Sequence, residues 1–391
     1  MGRVLLIVNS NSGDGVTGKR LIEGVVCPIL SNAGVGFSLH FTSSAEEAGN
    51  LAELHIASSS ESGRPTILVA GGDGTLHDLV NVLHTRAGSP RSTFPGVDFV
   101  LIPTGTANAL YHSFYPPDDP LRTYSNIPND IQEEDLSKLK SLISYLEKTG
   151  RRELAVARTS IHQPDSTQPP CTILSLVVNS TSLHAATLDT AEKYRSTIPG
   201  IERFKVATAE NITRWTNAEV QFLPSGDTNK FVPAQDSADP VSINGPFFYF
   251  LSTINVDRLE PEFVTTPLVR RKPAASNQAL DLVVIRPTRN PKYAGEIEGA
   301  RQAFVQLALP WFKAVYNGGK HLDIAYESEG ELVYMTEYYR AGGWRWTPKD
   351  DDYASSLVCV DGTIVKIPAG GYAVADVLPR WPSGDGFNVW V

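Results

Sequence analysis

The residues best suited to chemistry lie in three short runs rich in glycine, asparagine, aspartate and threonine, each following an apolar, β-rich run. Loop and helix-start N–H groups point outward at such places, so they favour anions and phosphates. The first run is Asn9-Ser10-Asn11-Ser12-Gly13-Asp14-Gly15. It opens into Gly13-x-x-x-x-Gly18-Lys19-Arg20, a near miss to a P-loop. A P-loop needs Ser or Thr after its lysine, because that hydroxyl holds Mg²⁺. Arg20 cannot do so, and a plain turn into a helix is the alternative.

The second run is Gly71-Gly72-Asp73-Gly74-Thr75. Glycines let a backbone approach a phosphate where a Cβ would block it. A carboxylate among phosphate-facing N–H groups repels the ligand unless it binds Mg²⁺ or takes a proton from an attacking hydroxyl. The alternative for Asp73 is a cap on a helix starting at Thr75. His77 stands where a dinucleotide fingerprint has its third glycine, which argues against a Rossmann site. The third run, Pro103-Thr104-Gly105-Thr106-Ala107-Asn108, offers side-chain hydrogen bonds beside backbone donors, or an ordinary helix start.

The elements that must position these runs alternate between strand and helix. Arg3–Val8, Val35–Phe41, Thr66–Ala70 and Asp98–Ile102 read as strands. Helices are expected over Lys19–Leu30, from Ser43 or Ser44 through Ser58, over Thr75–His84, and from about Thr106. Ser43 with Glu46 and Ser44 with Glu47 both fit a capping box. This order implies a mostly parallel sheet with helices on both faces, in which ligands gather at the carboxyl ends of strands. Phe114–Glu134, with its prolines, reads as a long loop or lid. Leu136, Leu139, Leu142, Ile143 and Leu146 mark one face of a helix.

Near Gly150 the pattern changes to strands in succession. These are Leu154–Arg158, Cys171–Asn179, Val220–Leu223, Phe247–Asn255, Leu282–Arg286, Ser356–Val360, Thr363–Ile367 and Tyr372–Leu378. Pro224–Pro240 reads as an exposed polar loop. The fold class expected is α/β: an N-terminal doubly wound parallel-sheet nucleotide domain over 1–150 and a mainly antiparallel β-sandwich domain over 151–391. The C-terminal strands are free to return to the first domain.

The 391 residues, 41% hydrophobic and 20% charged, suit a globular chain of two or three domains. The net charge of −9 argues against a nucleic-acid partner. Cys27, Cys171 and Cys359 lack metal-ligand spacing and read as buried free thiols, suited to a reducing compartment. Met1-Gly2-Arg3 and the short apolar run after it do not read as a signal peptide, and no run reaches the ~18 residues of a membrane span. A cytoplasmic protein, peripheral at membranes, is expected. His77 and His184 are tempting general bases, but a histidine beside an apolar run is more often structurally satisfied. Leu268-Val269-Arg270-Arg271-Lys272 is a local basic cluster that could touch anionic lipid or be a solvated turn.

Together, Val8-Asn9 with Gly13, Gly71-Gly72-Asp73-Gly74 and Pro103-x-Gly105-Thr106-x-Asn108 resemble the diacylglycerol-kinase-type catalytic domain. That family includes the sphingosine, ceramide and diacylglycerol kinases. Ala186-Thr187-Leu188-Asp189-Thr190-Ala191-Glu192-Lys193-Tyr194-Arg195, then Arg203-Phe204, is similar to the lipid-recognition segment of sphingosine kinases. Ala279-Leu280-Asp281-Leu282 resembles the family's Leu-Asp strand, and Val360-Asp361-Gly362 its Asp-Gly-Glu element. The resemblance implies an ATP-dependent lipid kinase, with ATP as co-substrate, Mg²⁺ and a sphingoid base or similar lipid as acceptor. Asp73 would be the base; Asn9, Ser10, Asn11, Thr42, Gly72, Gly74, Thr75, Asp78, Gly105, Thr106 and Ala107 would surround ATP. Arg195 and Arg203 would reach its phosphates, Asp189 would recognise the lipid's polar head, and Asp361 and Gly362 would lie beside the metal and phosphates, with Asp73 and Asp361 as metal ligands. A homodimer is left open.

Departures from the pattern are specific. Ser10 replaces a usual proline, and Asn277-Gln278 replaces Asp-Gly. The stretch between Asp189 and Glu192 is one residue shorter than in sphingosine kinases, and Thr363 stands where the Glu of Asp-Gly-Glu belongs. Two rivals follow: a kinase for diacylglycerol, ceramide or another hydroxylated molecule, and an inactive nucleotide-binding pseudokinase.

Overall fold

A computed structural model describes residues 4–391 apart from 60–63, 88–95, 122–123, 125–126, 129–130, 165–166, 199, 225–228, 233–241, 274–278, 295–298, 329 and 381–385. The chain forms two compact units, Met1–Ala155 with Arg380–Val391, and Val156–Pro379.

The first unit is built on near-continuous apolar strands, the pattern of a sheet buried on both faces. They are β1 (Val4–Asn9), β2 (Phe37–Thr42), β3 (Thr66–Gly71), β4 (Val97–Pro103) and β5 (Arg151–Glu153), completed by the C-terminal β21 (Phe387–Trp390). Their order is β2-β1-β3-β4-β21-β5, and every pairing is parallel except β21 with β5. The C-terminal strand thus extends a sheet begun nearly four hundred residues earlier. Asp98, 3% exposed, anchors that join: it accepts from Arg64, Arg151 and Asn388.

Helical turns follow β1 without interruption: α1 (Val16–Leu21), a π turn over Ile22–Val26, and α2 (Cys27–Asn32). Leu21, Ile22, Val26, Ile29 and Leu30 pack with Leu6, Leu68 and Val100 of the sheet. Leu139, Leu142, Ile143 and Leu146, on and just before α7 (Lys140–Glu147), join the same core. α3 (Ala45–Ser59) and α4 (Asp73–Ala87) pack against each other and against β1 and β3. Phe114–Glu134 differs from a free lid. Its described residues Tyr124, Ile127 and Ile131 pack onto the core, and Lys140 reaches back to the Asp119 carboxylate at 3.0 Å.

The second unit is a sandwich of two antiparallel sheets. One runs β11 (Ser242–Asn244), β9 (Ala218–Leu223), β17 (Gly343–Pro348), β20 (Tyr372–Val377), β6 (Ala157–His162), β7 (Cys171–Ser175). The other runs β10 (Asn229–Val232), β16 (Glu337–Ala341), β13 (Leu280–Ile285), β12 (Tyr249–Thr253), β8 (Val178–Thr181), β18 (Leu357–Val360), β19 (Thr363–Lys366). A hairpin of β14 (Ala325–Ser328) and β15 (Glu331–Tyr334) stands apart. Trp344 and Trp346 on one sheet pack against Phe250 on the other, and the Trp344 indole donates to Ser252 Oγ at 2.9 Å. Helices α8 (Ser182–Lys193) and α9 (Glu202–Asn211) pack together, and α8 also lies on β12 and β18.

Two sequence expectations break at corners. Leu154–Arg158 is not one strand: Leu154, Ala155 and Val156 connect β5 to β6, which belong to different units, and Ala157 and Arg158 open β6. Cys171–Asn179 divides into β7 and β8, because the chain turns there from one sheet to the other. Cys171 is exposed on the edge strand β7 and Cys27 half-buried, so only Cys359 is the buried thiol expected. Within 224–240 the described part contains β10, and Asn277-Gln278 lies outside the described residues.

Candidate functional site

The three glycine-rich runs occupy the carboxyl ends of β1, β3 and β4 and hold one another in place. Asn9 Nδ2 donates to Thr75 Oγ1 at 2.8 Å, linking the first run to the second. Thr104 N–H donates to Gly71 O at 3.2 Å, linking the third to the second. Gly105 lies against Gly72 so closely that a Cβ on Gly105 would stand 2.4 Å from Gly72 Cα. Gly13, at φ +62°, leaves no room either: a Cβ there would meet Thr104 O at 2.4 Å. Gly74 is the contrast. Its missing Cβ faces open space at the start of α4.

Asp73 reaches from its own helix to the next. Its Oδ2 accepts from Ala109 N–H at 2.7 Å and its Oδ1 from Leu110 N–H at 3.0 Å, at the start of α5 (Ala109–Phe114). Asn108 makes that start possible. It sits in the left-handed region at φ 54°, and its side chain bridges Gly105 N–H and Gly105 O at 3.0 and 2.8 Å. The second and third runs are therefore one structure, joined by a carboxylate.

Other residues of this unit are placed as follows. Thr42 is buried at the end of β2, with its carbonyl accepting from Ser10 N–H. Asn11 is exposed and donates to Ser43 O. Thr75 is 7% exposed, whereas Thr106 is exposed and Ala107 half-buried. Asp78 reaches the surface on α4; crowding by protein raises its carboxyl pKa despite the opposing influence of His77. The near-miss P-loop is excluded by its own residues. Asp14 accepts from the N–H groups of Val16 and Thr17, which a P-loop would offer to phosphate. Arg20 makes a two-point pair with Asp135, both contacts 2.8 Å. A recess of about 310 Å³ opens beside the runs, lined among others by Gly13, Thr17, Gly105, Asn108, Tyr111 and Lys138.

In the second unit, Asp189, Arg195, Arg203 and Gly362 share one recess of about 590 Å³, with Leu188, Glu192, Lys193, Phe204, Thr363 and Ile364. Asp189 is not a bare carboxylate. Lys193 Nζ lies 2.9 Å from its Oδ2, and Tyr353 OH donates to its Oδ1 at 3.1 Å. Arg195 pairs with Glu192 at 2.7 Å. Arg203 stacks over the Phe204 ring, and its buried Nε has no hydrogen-bond partner. Burial, then the charge of Arg195, lowers its pKa.

Asp361 and Gly362 form the two-residue turn between β18 and β19, both at positive φ (48° and 95°), the geometry that favours Asp-Gly in a tight hairpin. The Asp361 carboxylate accepts three backbone N–H groups, from Leu176, Val177 and Val178, at 2.6 to 3.0 Å. These are the residues of the β7–β8 corner. Asp361, expected as a metal ligand, here holds with its oxygens the place where the chain changes sheets. Among the described residues no three His, Cys, Asp or Glu side chains are grouped to hold a metal.

His184 Nδ1 and Ser180 Oγ lie 2.6 Å apart, and burial lowers the imidazole pKa to about 4, so the ring is neutral near pH 7. In the basic cluster, Arg270 pairs with Asp257 and Arg271 donates to Gly318 O, which ties the turn to the fold. Among the described residues no helix is long and apolar enough to cross a membrane. Sequence reasoning missed Lys193 and Tyr353 as partners of Asp189. The i,i+4 spacing of Asp189 and Lys193 on a helix was a readable signal; Tyr353, 164 positions away, gave none.

Residues 3–139 match the diacylglycerol kinase catalytic domain. The match takes in all three glycine-rich runs and supports kinship of this stretch with the diacylglycerol-kinase type. Among solved structures, yeast NADH kinase in complex with NADH is similar over 96% of this chain and 80% of that one, at 9% identity and a TM-score of 0.39. No match was found among curated proteins.

Proposed function

We propose that this protein is a kinase that transfers the γ-phosphoryl group of ATP to a hydroxyl of a lipid. The observation that carries the proposal is the fused Gly71–Thr75 and Pro103–Asn108 structure at the ends of adjacent parallel strands, inside the stretch similar to a kinase catalytic domain. Parallel sheets bind ligands at that edge. Gly74 leaves the first turn of α4 open to a phosphate, and the neighbouring recess offers space for the rest of a nucleotide.

In this account positioning and charge neutralisation do most of the work, as in other phosphoryl transfers. Asp73 is held by the backbone N–H groups of Ala109 and Leu110, and its carboxylate is the proposed acceptor of the incoming hydroxyl's proton. Asn9, Ser10, Asn11, Thr106 and Ala107 lie at the same strand ends and are proposed nucleotide contacts. Arg195 and Arg203 are proposed phosphate contacts. Mg²⁺ commonly arrives on substrate phosphates with few protein ligands, so it enters here as part of the MgATP substrate. The resemblance carries the acceptor to the family's range of hydroxylated lipids, from sphingoid bases to ceramide and diacylglycerol, and Leu188, Phe204 and Ile364 give the second recess apolar wall beside its charged groups.

The test is transfer of label from γ-labelled ATP to a panel of hydroxylated lipids in mixed micelles. A labelled lipid product supports the proposal. Nucleotide binding by calorimetry with no labelled lipid would favour the pseudokinase, which Thr363 in place of the family's Glu motivates.

A further inference from the structure

The recess around Asp189 has a charge pattern that bears on which head group it admits, given the lipid-kinase reading on which this inference rests. Its two carboxylates are both matched by cations one helical turn away: Asp189 by Lys193, and Glu192 by Arg195. Asp189 is capped on its second oxygen as well, by Tyr353, and its side chain is only 16% exposed. Arg203 remains as a surplus cation, with its buried Nε unpartnered. Lys193 and Lys366 both lie near the Tyr353 ring, at 5.8 and 4.9 Å, and add positive potential on that side.

We propose that Lys193, seconded by Tyr353, is a specificity-determining residue that neutralises Asp189, so that the recess accepts an uncharged polar head group and turns away a primary ammonium. An incoming ammonium would have to displace Lys193 from Asp189 and then lie beside it. Juxtaposing like charges is an effective way to reject a wrong partner. A hydroxyl or an amide meets no such barrier. It can accept from a further N–H of Lys193, or donate to the Tyr353 oxygen, without breaking the pair. Lys193 stands at i+4 from Asp189, the spacing at which helix side chains meet. Exposed i,i+4 pairs are weak on their own, so selectivity depends on the second anchor at Tyr353.

The experiment compares two acceptors that differ at one nitrogen: a short-chain amino alcohol lipid with its ammonium, and the same lipid acetylated there to a neutral amide. The full chain is assayed with MgATP and both lipids in mixed micelles, for wild type, Lys193→Met and Lys193→Arg, with thermal melts to confirm folding. The wild type is expected to favour the acylated lipid in kcat/KM by about tenfold or more, the discrimination of one unfavourable charge contact. Lys193→Met is expected to shift the ratio toward the amine by at least about tenfold, and Lys193→Arg to keep the wild-type ratio. A wild type that favours the amine, or a ratio unmoved by Lys193→Met, would overturn the proposal and leave the kinase reading standing. Phosphorylation of neither lipid, nor of any other in the panel, by a folded, nucleotide-bound protein would overturn both.

Discussion

Three aspartates show how much a carboxylate's neighbours decide. Asp73, Asp189 and Asp361 are each within reach of donors, but the donors differ: the start of α5, a lysine and a tyrosine, and a sheet corner. Asp73 alone stands on the strand edge where ligands gather. Asp73→Asn keeps the size of the side chain and one acceptor for the α5 N–H groups. We expect it to fold with a loss of about 1 kcal/mol, to bind ATP as the wild type does, and to lose transfer by about 10²-fold or more; melting, calorimetry and the labelled assay check the three parts. Asp361→Asn should behave in the opposite way. It weakens three buried-corner hydrogen bonds and should lower stability by about 1–3 kcal/mol in a denaturant titration, without changing the Mg²⁺ dependence of activity. A shift in that dependence would instead favour a metal role for Asp361. None of these partners is visible from composition: the Asp73 and Asp361 bonds span 36 and about 184 positions of chain.

At the scale of elements, the site depends on close approach of two loops more than on any side chain. A Cβ on Gly105 would stand 2.4 Å from Gly72 Cα, so Gly105→Ala must push the β3 and β4 ends apart or twist a loop. Overpacking of this kind costs about 1–3 kcal/mol. Activity should fall with it, whereas Gly74→Ala, whose Cβ enters open space, should fold like the wild type and lose nucleotide affinity; melts and calorimetry separate the two. The alternation of apolar runs and glycine-rich turns made the parallel sheet legible, because its strands are short, buried and punctuated. The π turn at Ile22–Val26 was not legible, since its apolar positions fit a plain helix equally well. The β7–β8 break was hidden for a related reason. Leu174, Leu176, Val177 and Val178 read as one continuous strand, and what bends them is the distant Asp361.

The whole molecule adds what no local pattern carries. β21 returns to the first unit and pairs with β4 and β5, and the sandwich of the second unit closes on aromatic residues drawn from 247–250 and 344–346. Interior ion pairs accompany it. Glu337, fully buried on β16, is raised by burial, but the hydrogen bonds and charge of Arg286, with Arg289 beyond, outweigh this and hold its pKa at about 2. Its ordinary value is 4.5. A carboxylate depressed in the folded state stabilises the fold above its unfolded pKa, and that contribution is lost as pH falls from about 4.5 toward 2. Urea titrations across that window should show falling stability, and Glu337→Gln should flatten the slope while costing about 3–5 kcal/mol near neutrality, because it leaves Arg286 buried and unmatched. The chemistry proposed for the molecule is phosphoryl transfer to lipid. Its most direct test is one reaction: the purified chain, γ-labelled MgATP and mixed lipid vesicles, with the lipids then separated and counted. The account predicts labelled phospholipid product from the wild type and none above background from Asp73→Asn. Label appearing only as inorganic phosphate, or in lipid equally with both proteins, would contradict it.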